Sequence, residues 1–439
     1  MKIIELPNGL KIIYEKASSD LSITSIYALC NLGPIHEPDD MRGISHLIEH
    51  MCFKGTKNKP NPKSIFLLCD KIGAYFNAYT SKRYTCYTID CDDKYSLKCL
   101  HHLSDMMLHS IFDEKEFTKE LHIVAQENID DENDPLEVAE NEINRLVFKG
   151  TAYEHPIDHV DYHKKKIDYN KCCELYKQFY TPNNMIISVV SNLPFTQIQK
   201  YIKSSYFNTK RTNHLSNVPQ MNHQLMPQKD IQYQLTKKMG VSNSSIMIGF
   251  RICGYEDKNK HLLNLIKQAI GQTMSGRLKH ILREEKALVY STYIDTQFYE
   301  KFGSLTFVAQ TETKNVIISN TSGVLPIIIR IINDLINTGL TVQEINNAKG
   351  NIQGDKLLEL QSVSNQAQHN VEEVLFNENL KNVIEFKNIF ESCYKNINKP
   401  QVHKIIKQYF KAKNMSVCIV GDTIPSIEKV KKICSHIRS

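Results

Sequence analysis

The order of apolar and polar positions changes period along the chain, and each change marks an element. Residues 1–15 read as a strand, a Pro7-Asn8-Gly9 turn and a second strand over Leu10–Glu15. Ser22–Leu29 and Ser245–Phe250 are strand-like apolar runs. Tyr84–Cys91 alternates residues rich in Tyr, Thr and Ile, as a half-buried strand does. Leu97–Ile111 carries apolar residues at helical spacing. Asp113 is placed to cap a following helix, with Glu116 three residues on, after which Phe117, Leu121 and Val124 fall on one face. Leu262–Ile270 and Met274–Glu285 predict helices later in the chain. Strands interleaved with helices predict an α+β fold, a mostly antiparallel sheet with helices packed on it.

The pattern occurs twice. Lys177-Gln178-Phe179-Tyr180, then Asn184-Met185 and an apolar strand from Ile186 to Val190, is echoed by Lys407-Gln408-Tyr409-Phe410, Asn414-Met415 and a strand from Val417 to Val420, at a constant offset of 230. An internal duplication follows. The polar, Pro-containing stretch 208–230 has no sustained period and reads as a linker. It divides the chain into two similar duplicated domains, 1–207 and 231–439.

Composition narrows the function classes. The chain has 439 residues, 41% hydrophobic and 23% charged, which is globular and sufficient for two or three cores. No stretch approaches the ~18 uninterrupted apolar residues of a membrane span. The first residues resemble neither a signal peptide nor a transit segment, so a cytoplasmic location is expected, with no membrane partner. Twelve cysteines without a C-x-x-C pair predict reduced thiols. The net charge of +6 is too small to argue for nucleic acid. Its distribution is uneven: residues 113–142 hold twelve acids and two bases, so this segment is −10 and the remainder +16. Such a segment is a solvated face or a local acidic field that attracts basic ligands.

The sharpest chemical signal is His46-Leu-Ile-Glu49-His50. On a helix, His46 and His50 share a face and offer two nitrogen ligands to zinc. Glu49, at the edge of that face, is suited to take a proton from water. A third ligand is needed. Glu120 and Glu127, seven residues apart and so nearly on one helical face, both offer a carboxylate.

These residues and their flanks resemble the pitrilysin (insulinase) family of zinc peptidases, specifically its mitochondrial-processing-peptidase-like members. The likeness rests on H-x-x-E-H, then 76 residues, then Glu127. It extends to Phe53-Lys54-Gly55-Thr56, to Gly73–Ser81 as an edge strand, to Glu132-Asn133-Asp134-Pro135 and to the two Asn-Met domain ends. The resemblance implies zinc-dependent endopeptidase activity, with one Zn2+ per chain on His46, His50 and Glu127, and Glu49 as general base. Glu120 then stands behind the ligands. It further implies that Phe76, Asn77, Ala78, Tyr79 and Thr80 take an extended peptide, and that Arg283 and Tyr290 of an R-x6-Y element reach the substrate backbone. The first domain would be catalytic and the second would carry the Arg/Tyr element. An extended peptide or presequence-like substrate and a homodimer or a heterodimer with a related chain are implied, while the acidic segment around Asp130–Glu142 would favour substrates containing Lys or Arg. Three positions depart from the family's pattern: Ala74 and Ala287 stand where Gly is usual, and Arg83 where an acid is common. Cys52 reads as a core thiol, and His101, His102 and His109 as structural. The alternative reading is a non-catalytic scaffold subunit that binds peptides for another chain.

Overall fold

The computed structural model describes residues 1–157, 167–210, 225–377 and 379–437. The chain forms two compact units, each built on one sheet. Residues 211–224, most of the expected linker, lie outside the described residues.

Unit 1 comprises Met1–Ile129, His155–Met221 and Leu357–Lys387. Its strands are β1 (Lys2–Glu5), β2 (Lys11–Lys16), β3 (Ile23–Cys30), β4 (Tyr75–Thr80), β5 (Thr85–Asp92) and β6 (Met185–Ser191), in the order β1-β2-β6-β3-β5-β4. Only β2 and β6 pair in parallel. The first hairpin turns at Gly9, whose φ of 81° suits a residue without a Cβ. Both faces of the sheet are covered, as the parity of β3 shows. Ile26, Ala28 and Cys30 join the main core with Leu47, Met51, Leu100 and Leu103. Ile23 and Tyr27, of opposite parity, pack with Ala17, Val190, Val363 and Ala367. Burying each such aliphatic side chain contributes about 1.5–3 kcal/mol.

The helices α1 (Ile44–Cys52), α2 (Pro62–Ile72), α3 (Ser96–His109) and α4 (Glu114–Asn133) follow in order. Asp113 caps α4 as expected, its Oδ1 accepting from the backbone N–H of Lys115 and Glu116.

Unit 2 comprises Asp130–Glu154, Asn222–Lys356 and Asn388–Ser439. Its strands β7 (Gln232–Lys237), β8 (Asn243–Cys253), β9 (Ser291–Phe298), β10 (Phe302–Glu312) and β11 (Met415–Gly421) run in the order β7-β11-β8-β10-β9. Here β7 and β11 are the parallel pair, so the sheet repeats the topology of β2-β6-β3-β5-β4. The α+β duplication read from the sequence is therefore present in the strand order itself.

The units do not coincide with residues 1–207 and 231–439. Helix α5 (Pro135–Val147) lies in unit 2, and the helix Val363–Phe376 lies in unit 1. The reason is packing. Gly249 of β8 leaves room for α5, since a Cβ there would meet Val147 Cγ2 at 2.9 Å. Arg251 Nε donates to Val147 O at 2.6 Å and closes the end of α5. In unit 1, Asn370 donates to Glu15 Oε2 at 2.9 Å and Ser18 to Gln366 Oε1 at 3.1 Å. Each sheet thus takes one covering helix from the other half of the sequence.

Candidate metal centre

Helix α1 is entered through Gly43 at φ 87°. Gly43 has no side chain to cap the helix, and Glu37 serves instead. Its carboxylate accepts from Gly43 N and Ser45 N, each at 2.8 Å, and from the Ser45 hydroxyl. Burial raises the Glu37 carboxyl above its ordinary range, against the lowering effect of these bonds. Leu47, Ile48, Met51 and Cys52 sink into the core, which anchors the helix and leaves His46 and His50 along its partly exposed edge. Cys52 is fully buried, which pushes its thiol up to about 12 and makes it a core residue.

The Nε2 atoms of His46 and His50 stand 3.1 Å apart. Glu127 Oε2, on α4, is 4.0 Å from His46 Nε2 and 3.8 Å from His50 Nε2. Among the described residues, these three form the one group of His, Cys, Asp or Glu placed to hold a metal ion. The donors fit zinc. Two imidazole nitrogens and a carboxylate oxygen are a catalytic zinc set, and bonds near 2.05 Å imply donor separations of roughly 3.3 Å. Glu127 Oε2 stands somewhat wide of that separation, on a half-exposed side chain.

Behind His50 stands Glu120, 4% exposed in its side chain. Its Oε2 lies 3.0 Å from His50 Nδ1, and its Oε1 lies 2.7 Å from Lys54 Nζ. Burial alone would raise this carboxyl, but the bonds and charges of His50 and Lys54 outweigh it and hold its pKa below the usual value. An ionised Glu120 only accepts, so His50 carries its proton on Nδ1 and turns the Nε2 lone pair towards His46 and Glu127. Glu49 is 7% exposed, and its Oε2 accepts from Thr80 Oγ1 at 2.6 Å.

Strand β4 holds Phe76, Asn77, Ala78, Tyr79 and Thr80 and ends its sheet, pairing with β5 alone among the described residues. Phe53, which follows the histidine pair on α1, packs on Phe76 and Phe66 with ring centroids 5.1 and 5.7 Å away. Arg283 and Tyr290 belong to unit 2. Arg283 lies in the π-helical turn His280–Glu285, and both side chains are exposed by more than half. Tyr290 N donates to Gln310 O at 2.9 Å. Between Arg283 and Tyr290, Ala287 holds φ at 47°, a left-handed value that explains why glycine suits this position. His102 is buried and accepts from Lys59, while His109 faces Asp105 at 3.1 Å, so both are structural. Lys54, Glu37 and the bond from Thr80 to Glu49 were not evident from spacing. Lys54 lies inside the F-K-G-T stretch, which was its only signal.

Comparison with known proteins gives a consistent picture. Residues 12–159 match the family described as Insulinase (Peptidase family M16), and residues 166–352 match the Peptidase M16 inactive domain. An uncharacterized zinc protease of Bacillus subtilis, YmxG, is 29% identical over 369 residues, 83% of this chain and 85% of the relative. The mitochondrial-processing peptidase subunit beta of Dictyostelium discoideum is 25% identical over 213 residues, 48% of this chain and 44% of the relative. A protease from Helicobacter pylori has the same fold, with a TM-score of 0.85 at 18% identity, covering 96% of this chain and 99% of the other.

Proposed function

We propose, from the premise that the chain belongs to the insulinase family of peptidases (M16), that it is a zinc-dependent endopeptidase of extended peptides. The observation that carries this reading is the convergence of His46, His50 and Glu127, with Glu49 next to His50 on the same helix. These three side chains would hold one zinc ion. Bound zinc supplies a Lewis acid that polarises a carbonyl and makes water a nucleophile near neutral pH.

The chain's own groups do the rest. Glu49 takes a proton from the attacking water and returns it to the departing amine nitrogen. Glu120, held by Lys54, fixes the tautomer and direction of His50. The open edge of β4 pairs with the backbone of the peptide, a mode that tolerates varied side chains. Arg283 and Tyr290 donate to peptide carbonyls and to the oxyanion as it develops. The acids from Asp130 to Glu142 favour peptides containing Lys or Arg. The chain acts beside a second one, a copy of itself or a related chain, as the word subunit in the relative's name suggests. The zinc-free scaffold is the weaker reading, because a chain released from catalysis has no need of the complete ligand set and base.

The test is cleavage of a mixed peptide library. Wild-type protein should cleave, and a chelator should stop it. Glu49→Gln should lower kcat by about 1,000-fold or more while binding zinc as before. Cleavage that survives both treatments contradicts the assignment.

A further inference from the structure

Thr80 closes strand β4, and its side chain reaches across to α1. The direction of its hydrogen bond is set by chemistry. An ionised carboxylate can only accept, so Thr80 Oγ1 donates to Glu49 Oε2 at 2.6 Å. The nearby Thr85 hydroxyl, 3.4 Å from Thr80 Oγ1, spends its own proton on Leu32 O at 2.9 Å. The strand at this point is itself anchored. Thr80 pairs with Thr85 and Tyr79 with Cys86. The Tyr79 hydroxyl lies 3.5 Å from that of Tyr84, which donates to Glu372 Oε1 at 2.9 Å.

We propose that Thr80 is a positioning residue for Glu49, tying the carboxylate to the strand on which the peptide is laid. This rests on the reading of Glu49 as the base. The last torsion of a glutamate is broad and roughly two-fold, so nothing within Glu49 selects the direction of its oxygens. One short bond to a charged acceptor does select it. The donor sits on the same backbone that would pair with the substrate, so base and scissile bond share one reference frame. Proton transfer depends on such placement to within about half an ångström. Thr80 therefore serves the reaction through Glu49, beyond any role as part of a binding edge.

The variants Thr80→Val, which keeps the shape and removes the donor, and Thr80→Ser, which keeps the donor, test this in the full-length zinc-loaded protein. Thr80→Val should lower kcat by about 10- to 100-fold, the range set by one hydrogen bond to a charged group. KM should stay within about twofold, as for a group that acts on the transition state alone. Thr80→Ser should recover most of the loss. Zinc stoichiometry should not change, and in a Glu49→Gln background Thr80→Val should leave peptide affinity as it was. A crystal structure of Thr80→Val should show the Glu49 carboxylate rotated or in two orientations. An unmoved carboxylate, an undiminished kcat or a loss confined to KM would each overturn the proposal. If wild type cleaves and Glu49→Gln does not, those results overturn Thr80 alone. If wild type and Glu49→Gln are equally inert, the base assignment fails and takes this inference with it.

Discussion

Single residues shape the candidate site. Glu37 caps α1 from six and eight residues away, while Lys54 pairs with Glu120 and Thr80 donates to Glu49 across longer stretches of sequence. Other residues bear the costs of the fold. Ala287 sits at φ 47°, where a Cβ costs about 1–2 kcal/mol. Ala287→Gly should therefore raise stability by about 0.5–1 kcal/mol in urea denaturation, after the added entropy of the unfolded chain. An unchanged midpoint would mean that the strain is relieved elsewhere. His102 is a second case. Burial, then the charge of Lys59, lower its pKa to about 3. Below the ordinary imidazole value of about 6.5, the unfolded chain binds a proton that folded His102 refuses, so stability falls with pH through this window by about 1.4 kcal/mol per unit. Metal-free wild type should lose about 2 kcal/mol from this source between pH 6.5 and 5, and His102→Gln should remove that part of the slope. Equal slopes in the two proteins would contradict it. His46 and His50 were legible in the sequence because their spacing puts them on one helical face; spacing left Glu120 and Glu127 open, and only the family resemblance pointed to Glu127. Lys54 and Thr80 carry no such signature, since many surfaces use Lys and Thr.

At the scale of elements, periodicity located strands and helices well but could not say what each helix covers. Ala139, Ile143 and Val147 mark the buried stripe of α5, yet nothing in that stripe names β8 as its partner. Likewise the polar stretch 208–230 separates the repeats in sequence, while the compact units form by exchanging one helix each. The physical cause is that both sheets bury both faces, and the second face is filled from the other repeat. A prediction follows from unit 1. A fragment of residues 1–230 lacks Val363 and Ala367 and exposes the face formed by Ala17, Ile23, Tyr27 and Val190. Expressed alone it should fail to give a cooperative thermal transition, and co-expression with residues 231–439 should restore one. A sharp transition in the isolated fragment would show that the exchanged helix is dispensable.

At the scale of the whole chain, duplication supplied two sheets of one topology, and among the described residues only the unit built on the first carries a group placed to hold a metal ion. The second sheet kept the fold and presents Arg283 and Tyr290, both largely exposed, at a helical turn and a strand entrance. The one candidate group among the described residues predicts one zinc ion per chain. Zinc-edge anomalous diffraction from crystals grown with the metal tests it most directly. One peak per chain should lie within about 2.2 Å of His46 Nε2, His50 Nε2 and a Glu127 oxygen. A peak elsewhere with these three side chains unliganded, or no peak at all, would contradict the assignment on which the proposed chemistry depends.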